Sequence, residues 1–546
     1  MILVLGGAIV AFGQENHNFE TAKQLDLFNQ IYRELDLYYV DTLDAKKCVE
    51  GALNYMLSEL DPYTEFYEEE NTDNLRTLTT GKYAGIGSPI IYRPDLKRSM
   101  FSNPYPDMPA YESGIRTGDR ILAIDGKDIP EYDGPASEAS EKYLNDITSQ
   151  LRGEPATTVE VKIQRPGKDK PLTFKIIRRQ IVRNSVVLAK MLNDSVGYIL
   201  LESFTEDTAR DVRNALAQLK TQGLKQLVFD LRSNGGGLLD QAVEIVNLFI
   251  PRDKEVVSTR GKVKEMETSY KTKHEPFDTE MPLVFLVNEG TASASEITSG
   301  SLQDYDRAVI VGQRTYGKGL VQTPRQLLYD TMLKLTTAKY YIPSGRCIQA
   351  YKFKDGEPQH LPDSLSKEFK TANGRIVRDS GGIKPDVTVT PDSLAGFITF
   401  LARSNQLMDW CVEYRQKHPT VASAQDFQLT DQDVAGLKNY LQTHDFEYGN
   451  FSKKQLKILL DLAKAEGYDT RAEAEFKALE EKLENNLDYN FERWDSDIRF
   501  VAEAVLMLEY YGDKGAAEYH LRRDKELNEA LSVLKDGARY KTILGL

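Results

Sequence analysis

A serine, a lysine and a glutamine lie close together in the segment from Gly290 to Gln322. Lys318 follows Ser293 by 25 residues, and Gln322 follows Lys318 by four. A serine hydroxyl is a poor nucleophile until a base removes its proton, and a lysine is such a base only when it is neutral. Because the ordinary lysine pKa is about 10.4, a lysine that works near neutral pH needs surroundings that lower its pKa to roughly 7. These residue types predict a serine hydrolase that uses lysine in place of histidine.

Each of these residues also has a purely structural interpretation. Ser293 and Glu296 form the S-x-x-E pattern of a capping box, in which the serine only begins a helix. Farther along, the alternation of a strand would place Lys318, Leu320 and Gln322 on one face, where the glutamine oxygen would orient the lysine. A lysine on a strand is, however, commonly a solvated charge at a sheet edge. The pattern alone leaves both interpretations open.

A glycine-rich turn, DLRSNGGG at Asp230–Gly237, precedes this stretch. It follows a predicted buried strand, Gln226–Leu231, and feeds a predicted helix that ends before Pro251. A strand that runs into glycines and a helix N-terminus directs free N–H groups at an anion. The alternative is that the glycines only allow the chain to enter a helix.

Together these segments resemble the active-site region of the C-terminal processing (tail-specific) peptidases. The resemblance runs from about Asp61 to Val387 and rests on several motifs in the order of the family. These are DPYT at Asp61–Thr64, DLRSNGGG at Asp230–Gly237, the small-residue run around Ser293 with its following lysine and glutamine, PSGR at Pro343–Arg346 and GGIKPDV at Gly381–Val387.

The resemblance implies a role for each candidate residue. Ser293, rather than the neighbouring Ser295, would be the nucleophile, and Lys318 would be the general base and then the acid toward the leaving amine. Gln322 would position the lysine. The backbone N–H groups of Gly236, chosen over Gly237, and of Ala294 would form an oxyanion hole, each worth roughly 3 to 4 kcal/mol in the transition state.

A second family resemblance lies between about residues 81 and 183. The Ser113–Gly126 segment joins a turn to a strand that ends in an Asp-Gly hairpin signal. It resembles part of a PDZ domain in its circularly permuted bacterial form. In that resemblance Ser137–Leu151 would be the groove helix and Val159–Gln164 a later strand. A PDZ groove binds an extended peptide as an added strand, and its loop N–H groups hold the terminal carboxylate. The residues expected to bind substrate are Tyr83, Ala84, Gly85, Ile86 and Gly87. The alternative is that this region is a structural spacer.

The predicted fold class is multidomain α/β, with a crotonase/ClpP-like α/β serine-peptidase core, a β-rich PDZ domain and helical regions on either side. The predicted boundaries are 1–14 for a signal segment, 15–80 for an N-terminal helical region, 81–183 for the PDZ domain, 184–390 for the peptidase core and 391–546 for a helical extension. The extension has helical apolar spacing but no recognisable chemistry, so packing against the core or self-association is expected. A homo-oligomer through the helical regions is one possible outcome.

Composition narrows the classes of partner and cofactor. The 546 residues include 69 Lys plus Arg against 83 Asp plus Glu, a formal net charge of −14, which argues against a nucleic-acid partner. Three cysteines without a CxxC pair argue against a disulfide framework or a structural zinc site, and the six histidines show no metal-binding spacing. No metal and no cofactor are therefore expected.

The first 13 residues, MILVLGGAIVAFG, are apolar. They are too few to span a bilayer but suit the apolar region of a secretory signal, although the usual basic residues before it are missing. The alternative is a buried N-terminal strand. We expect export to a bacterial periplasm or cell envelope, and the family resemblance favours the same location.

These features predict an exported serine endopeptidase that recognises the C-terminal tail of protein or peptide substrates and cleaves nearby. One alternative is a non-catalytic peptide- or ligand-binding relative of the same fold, which the retained Ser293, Lys318 and Gln322 argue against. Another is a crotonase-type acyl-CoA enzyme, which needs neither this dyad nor a PDZ domain.

Overall fold

The computed structural model describes residues 3–68, 82–135, 137–182, 184–391, 394–444, 446–449 and 451–546, with side chains from residue 18 onward except those of 138 and 363. The side chains of the predicted signal segment and residues 69–80 of the predicted N-terminal helical region lie outside this description. Within it the chain divides into two compact units. The first comprises 3–68, 322–337 and 352–360, and the second comprises the described residues of 82–321, 338–351 and 361–546.

The helices follow one another in chain order as α1 (Leu3–Tyr38), α2 (Ala45–Ser58), α3 (Pro109–Glu112), α4 (Glu138–Leu151), α5 (Thr208–Thr221), α6 (Leu239–Asn247), α7 (Ala294–Asp304), α8 (Gly396–Ala402), α9 (Asn405–Lys417), α10 (Asp431–Thr443), α11 (Phe451–Glu466), α12 (Glu473–Lys482), α13 (Leu487–Arg493), α14 (Asp495–His520), α15 (Lys525–Lys535) and α16 (Gly537–Leu544). None of these helices is long and apolar enough to cross a membrane, as far as the described residues go.

The strands are β1 (Glu65–Tyr67), β2 (Lys82–Gly85), β3 (Ile90–Arg93), β4 (Arg98–Phe101), β5 (Arg120–Ile124), β6 (Lys127–Asp128), β7 (Thr158–Gln164), β8 (Leu172–Ile177), β9 (Arg179–Val182), β10 (Val186–Met191), β11 (Val196–Leu201), β12 (Gln226–Asp230), β13 (Glu255–Gly261), β14 (Thr268–Lys271), β15 (Leu283–Val287), β16 (Val309–Gly312), β17 (Leu320–Gln326), β18 (Met332–Tyr341), β19 (Tyr351–Lys354), β20 (Glu357–His360), β21 (Glu368–Lys370), β22 (Ile376–Arg378) and β23 (Val387–Thr388).

In the first unit, the long helix α1 leaves much of its apolar stripe exposed. The exposed fraction is 65% for Leu25 and 49% for Phe28. The stripe is therefore not part of a core in the single chain. After α2 the DPYT segment forms a turn, because the Asp61 carboxylate accepts the N–H groups of Tyr63 at 2.8 Å and Thr64 at 2.9 Å.

In the second unit, residues 82–182 form the predicted PDZ domain. Its main sheet has the order β3-β4-β5-β7-β8, β6 pairs with β5, and β2 pairs with β9. Asp125 and Gly126, with φ of 47° and 76°, make the two-residue turn between β5 and β6 that the Asp-Gly signal predicts. Helix α4 begins after Ser137, as expected, and its Ile147 and Leu151 pack into the domain core.

The peptidase core is built on a six-stranded sheet with the order β10-β11-β12-β15-β16-β23. All neighbours in it are parallel except β10, which is antiparallel to β11. Alternate side chains of each strand face opposite sides, so that Phe229 and Phe285 pack on one face in the cluster that holds α5, α6 and α7. Helix α5 begins at Thr208, whose hydroxyl accepts the N–H of Thr205 at 2.8 Å just before the first turn.

The other face of this sheet is covered by the C-terminal helices α15 and α16. Val228 and Val284 of the sheet lie in one buried cluster with Leu527 and Val533 of α15 and Leu544 of α16. The expectation that the extension packs against the core is thus confirmed for these two helices. Helices α8 to α10 and α13 to α14 form a separate cluster, and the long α14 bends at Gly512, where φ is 65°.

Candidate active site

Ser293 stands at the junction between strand β15 and helix α7. The strand leads into a tight turn around Asn288. Its backbone N–H donates to the Thr291 hydroxyl at 2.9 Å, and its side-chain oxygen accepts the N–H of Gly290 at 3.0 Å. Ser293 then caps the helix with φ 57° and ψ −117°, a conformation that a residue with a side chain rarely adopts. Such strain is characteristic of functional positions, and the turn places the serine at the carboxyl edge of a parallel sheet, where ligands bind in open α/β folds.

Glu296, one turn into α7, is fully buried and connects this serine to the segment around Lys318. Its Oε2 accepts the backbone N–H of Ser293 at 2.9 Å and that of Lys318 at 2.9 Å. Its Oε1 accepts the N–H of Gly317 at 2.8 Å and the hydroxyl of Thr315 at 2.5 Å. The capping interpretation and the catalytic one are therefore compatible, because the carboxylate that accepts the Ser293 N–H also fixes Lys318.

Burial raises the pKa of Glu296 to about 7. The four hydrogen bonds to its carboxylate oppose that effect, because each of them stabilises the ionised form. Sequence reasoning assigned Glu296 only to helix capping. Its link to the lysine segment had no local signal, since its other donors lie about twenty residues farther along the chain.

The prediction that Lys318 lies on a strand is wrong. Strand β17 begins at Leu320, and Lys318 precedes it in an irregular segment between two glycines. The physical reason is that the local N–H groups bond to side chains instead of a neighbouring strand: Gly317 and Lys318 to Glu296, and Gly319 to the Gln349 oxygen at 2.6 Å. The backbone of Lys318 is thus held by specific acceptors.

Tyr340, on β18, is a second residue shared by the serine and lysine segments. Its hydroxyl donates to the carbonyl oxygen of Lys318 and lies 3.3 Å from that of Ser293. Its N–H donates to the carbonyl oxygen of Gly319 at 3.0 Å, and its side chain is only 1% exposed. The sequence held no signal for this role, because Tyr340 is one of two adjacent tyrosines at the end of an alternating strand.

The glycine-rich turn lies directly against Ser293 and Ala294. A Cβ atom on Gly236, whose φ is 96°, would stand 2.8 Å from the Ala294 nitrogen and 2.8 Å from the Ser293 Cβ. The Gly236 N–H donates to the Asn234 side-chain oxygen at 2.9 Å, whereas the N–H groups of Gly237 and Ala294 have no acceptor among the described residues. The structure therefore brings Gly236 next to Ala294, as predicted, and leaves the Gly237 N–H available beside it.

Asn234 fixes this turn to the serine segment. Its carbonyl oxygen accepts the N–H of Ala292 and the hydroxyl of Ser295, both at 3.0 Å. Its side-chain nitrogen donates to the Leu201 carbonyl oxygen at 2.8 Å. Ser295 is thus a structural residue of the site, because its hydroxyl is buried and bonded to the turn.

Arg232 of the same turn reaches the C-terminal helices. Its guanidinium bonds to Asp230 and, through Nη1 and Nη2, to Asp524 at 3.0 and 2.5 Å, with Glu526 at 3.1 Å. Asp524 also caps α15 by accepting the N–H of Leu527 at 2.9 Å. The carboxylates raise the pKa of Arg232 above its already high ordinary value, although burial opposes this. The N-cap residue of the C-terminal helix α15 therefore helps to hold the glycine turn in place.

Gln322 lies on β17 in the first unit. Its side-chain nitrogen donates to the Thr336 hydroxyl of β18 at 3.1 Å, and that hydroxyl lies 3.2 Å from a carboxylate oxygen of Asp61. Gln322 is thus connected to the DPYT turn that the family resemblance singled out.

The predicted tail-binding loop follows β2 in the PDZ domain. The carbonyl oxygens of Ile86 and Gly87 accept the N–H groups of Ala110 at 2.8 Å and Tyr105 at 3.2 Å. Their own N–H groups meet no acceptor in the part of the chain that the structure describes, as a carboxylate-binding loop requires. The Ile86 side chain is 3% exposed and belongs to the domain core.

Comparisons with known proteins agree with this arrangement. The family described as peptidase family S41 matches residues 195–356, and the PDZ domain family matches residues 100–165. The carboxy-terminal-processing protease of Bartonella bacilliformis is 37% identical over 352 residues, which cover 64% of this chain and 77% of that protein. The chain belongs to the carboxy-terminal-processing protease family. A member of this family is a serine-type endopeptidase, and the predicted fold class is confirmed.

The chain is also similar to a second curated protein and to a solved structure. A protein of Staphylococcus aureus strain COL named "Probable CtpA-like serine protease" is 35% identical over 365 residues, or 66% of this chain and 70% of that protein. The solved structure of a photosystem II D1 C-terminal processing protease is 29% identical, covers 67% of this chain and 87% of its own, and has a TM-score of 0.36.

The carboxy-terminal-processing resemblance extends farther than the sequence motifs indicated. Residues 397–534 match a family described as "Probable PDZ-protease, C-terminal helical domain". The expectation that the resemblance ends near Val387 is therefore wrong. The helical domain has no catalytic motif that could have revealed it, because its characteristic residues are mainly those of helix packing.

Proposed function

We propose that Ser293 and Lys318 form a Ser-Lys dyad that hydrolyses peptide bonds of substrates whose C-terminal tails are held by the PDZ domain. The observation that supports the dyad most directly is the shared carboxylate of Glu296, which accepts the N–H of both residues at 2.9 Å. The contacts of the Tyr340 hydroxyl with both carbonyl oxygens support the same pairing.

In this mechanism Ser293 attacks the scissile carbonyl carbon while neutral Lys318 takes the hydroxyl proton. Lys318 then gives that proton to the leaving amine, and a water molecule attacks the acyl-enzyme with Lys318 again as base. The tetrahedral oxyanion is held by the N–H of Ala294 and by an N–H of the glycine turn, for which Gly236 is the predicted donor. The Gly236 N–H already donates to the Asn234 side-chain oxygen, so this hydrogen bond must break before Gly236 can bind the oxyanion. The Gly237 N–H could bind the oxyanion without such a change. The family resemblance assigns to Gln322 the role of orienting the lysine.

The dyad is tested with three substitutions. Ser293→Ala, Lys318→Ala and Lys318→Arg should each reduce cleavage of an unstructured protein roughly 10⁴-fold or more, since arginine stays protonated and cannot act as a base. Each variant should keep the wild-type circular dichroism spectrum and unfolding temperature within a few degrees.

The matched control is Ser299→Ala on the same helix. Among the described residues its hydroxyl bonds only to the Ser295 carbonyl oxygen of the preceding turn, at 2.8 Å, so activity should be retained. Ser295→Ala is a poorer control, because it removes a bond to the glycine turn. Substantial turnover by Lys318→Arg would refute lysine as the base. Absence of cleavage by the wild type would favour a binding relative, and activity on an acyl-CoA thioester alone would favour a crotonase-type enzyme.

Recognition of the substrate tail is proposed for the loop Tyr83–Gly87. The N–H groups of Ile86 and Gly87 are the donors for a terminal carboxylate, and the half-buried side chains of Tyr83 and Ala84 border them. Gly87 has φ of 72°, and a Cβ there would stand 2.6 Å from the Met108 Cβ, so a glycine is needed for the loop to adopt this shape.

Calorimetry with Ser293→Ala protein tests this role. A peptide with a free, apolar C-terminus should bind about tenfold to a hundredfold more tightly than its amide, because amidation removes a charge-assisted contact. A charged substitution of Ile86 is unsuitable as a probe, since that side chain is buried in the domain core. Equal affinity for the free-acid peptide and its amide, with equal cleavage of both by the active enzyme, would refute tail binding by this loop. The region would then be a structural spacer.

Export to a bacterial periplasm or cell envelope is also proposed, on the basis of the apolar segment Met1–Gly13. Expression from the native start in a bacterium, followed by fractionation and mass spectrometry of the N-terminus, tests it. Intact protein found only in the cytoplasm would contradict export.

A further inference from the structure

A cavity of about 400 Å³ lies between the PDZ domain and the C-terminal helical domain. Its size is within the range of pockets that hold small organic ligands. The PDZ domain contributes Tyr111, Arg116, Thr117 and Arg165, and the helical domain contributes Val412, Arg415, Gln416, Pro419 and Glu509. None of these residues belongs to the proposed active site or to the tail-binding loop.

Three guanidinium groups converge on this cavity, and only two have a carboxylate partner. Arg165 pairs with the buried Asp119 through two bonds of 2.7 and 2.8 Å. Arg415 lies 3.6 Å from the Glu509 carboxylate. Arg116 donates to backbone carbonyl oxygens at 2.7 and 2.8 Å, and no carboxylate within the described chain forms an ion pair with it. The cluster therefore has a net charge of +1 when both carboxylates are ionised.

The surroundings of Arg116 make this excess charge costly. Burial lowers the pKa of Arg116, and the positive charges of Arg415 and Arg165 lower it further. The Arg116 guanidinium lies 4.2 Å from the centre of the Tyr111 ring, so its planar face is already held in place. An anion in the cavity would relieve the repulsion among the three arginines without requiring them to move far.

We propose that this cavity binds a small anion that carries a carboxylate or phosphate group, and that the bound anion joins the PDZ domain to the helical domain. Arginine suits such a role because its planar fork of N–H donors matches the oxygens of both groups. Arg116 and Arg165 bind the anion from the PDZ side and Arg415 from the helical side. Val412 and Pro419 provide an apolar wall for a carbon-containing ligand.

The test uses full-length Ser293→Ala protein and two probes, inorganic phosphate and acetate, in titration calorimetry and thermal unfolding. One-to-one binding of at least one probe, with a rise in unfolding temperature, is expected. Phosphate alone would identify a phosphate ligand, and acetate alone a carboxylate ligand. Binding of neither probe would overturn the proposal.

Matched variants separate this cavity from general surface binding. Arg116→Gln should weaken the affinity at least tenfold, and Arg116→Lys should weaken it less because the charge remains. Glu509→Gln should strengthen binding, since it removes an internal competitor for Arg415. Arg179→Gln is the control, because this exposed PDZ arginine pairs with Glu112 outside the cavity. Equal affinity in the wild type, Arg116→Gln and Arg179→Gln proteins would overturn the assignment to this cavity.

Discussion

The buried carboxylate of Glu296 accepts the backbone N–H of Lys318 at a distance of 2.9 Å. The same oxygen accepts the N–H of Ser293, so one atom fixes the backbone of both proposed catalytic residues. Their separation is thus set by main-chain hydrogen bonds as well as by side-chain packing. This arrangement holds the serine segment and the lysine segment together although they leave the sheet at different strands.

The substitution Glu296→Gln should lower kcat while the protein remains folded. A glutamine oxygen cannot accept all four hydrogen bonds, and its NH₂ group faces donors, so at least one charge-assisted bond is lost. A loss of roughly 1.5 to 3 kcal/mol corresponds to about a tenfold to hundredfold decrease in kcat. Peptide cleavage at saturating substrate measures it. The exposed Glu289, within the turn that precedes Ser293, provides the control Glu289→Gln, and an equal loss there would refute the special role of Glu296.

The same carboxyl group should make stability depend on pH. Burial raises the pKa of Glu296 from 4.5 to about 7, so the unfolded chain loses this proton more readily than the folded protein. The contribution of the neutral carboxyl is complete below pH 4.5 and is lost as pH rises toward 7. Relative to Glu296→Gln, the wild type should therefore lose unfolding free energy between pH 5 and 7, by at most about 1.4 kcal/mol per pH unit. A difference between the two proteins that stays constant with pH would contradict the raised pKa.

The glycine turn offers a paired comparison of two neighbouring residues. Gly236→Ala should reduce activity about a hundredfold or more, because the new Cβ would stand 2.7 Å from the Ala292 oxygen and would displace the turn beside the oxyanion site. Gly235→Ala meets no atom within 4 Å and should leave activity unchanged, with stability equal or higher by about 0.5 kcal/mol. Equal activity of the two variants in peptide cleavage would show that the turn does not need its close approach to Ser293.

The contact between Arg232 and Asp524 should be measurable as stability. Asp524→Ala removes a helix cap and leaves Arg232 with fewer buried partners, so the free energy of unfolding should fall by about 3 kcal/mol. Asp536→Ala removes a similar cap, at the start of α16, where the side chain is exposed and accepts only the Arg539 N–H at 3.0 Å. It should cost about 1 kcal/mol. Urea denaturation compares the two, and an equal cost would mean that the ion pair adds nothing.

Much of the fold could be predicted from local patterns. The buried runs at β12 and β15 and the Asp-Gly turn after β5 are specified by neighbouring residues, so their sequence signals were reliable. Lys318 was misplaced on a strand because the acceptor of its N–H, Glu296, lies 22 residues away. A sequence pattern shows which residues could form a strand, but not which distant side chain competes for their N–H groups.

The candidate site shows the same division. The positions of Ser293 and Gly236 followed from their motifs, and the structure brings them together. The hydrogen bond of Tyr340 to the Ser293 carbonyl oxygen and the ion pair of Arg232 with Asp524 join segments that are distant in the sequence. No local spacing could therefore indicate them. The continuous apolar run of Gln226–Leu231 predicted a buried strand. It could not identify α15 and α16 as the cover of the second face, because they follow the last strand of the sheet by more than a hundred residues.

That cover has a consequence for the order in which the protein matures on the ribosome. The segments that hold Ser293 and Lys318 are synthesised long before α15 and α16, and until those helices emerge, Val228 and Val284 lack the helical part of their buried cluster. Arg232 likewise has no Asp524 to bind. The nascent chain therefore contains every proposed catalytic residue before it can cover the second face of the sheet that positions them.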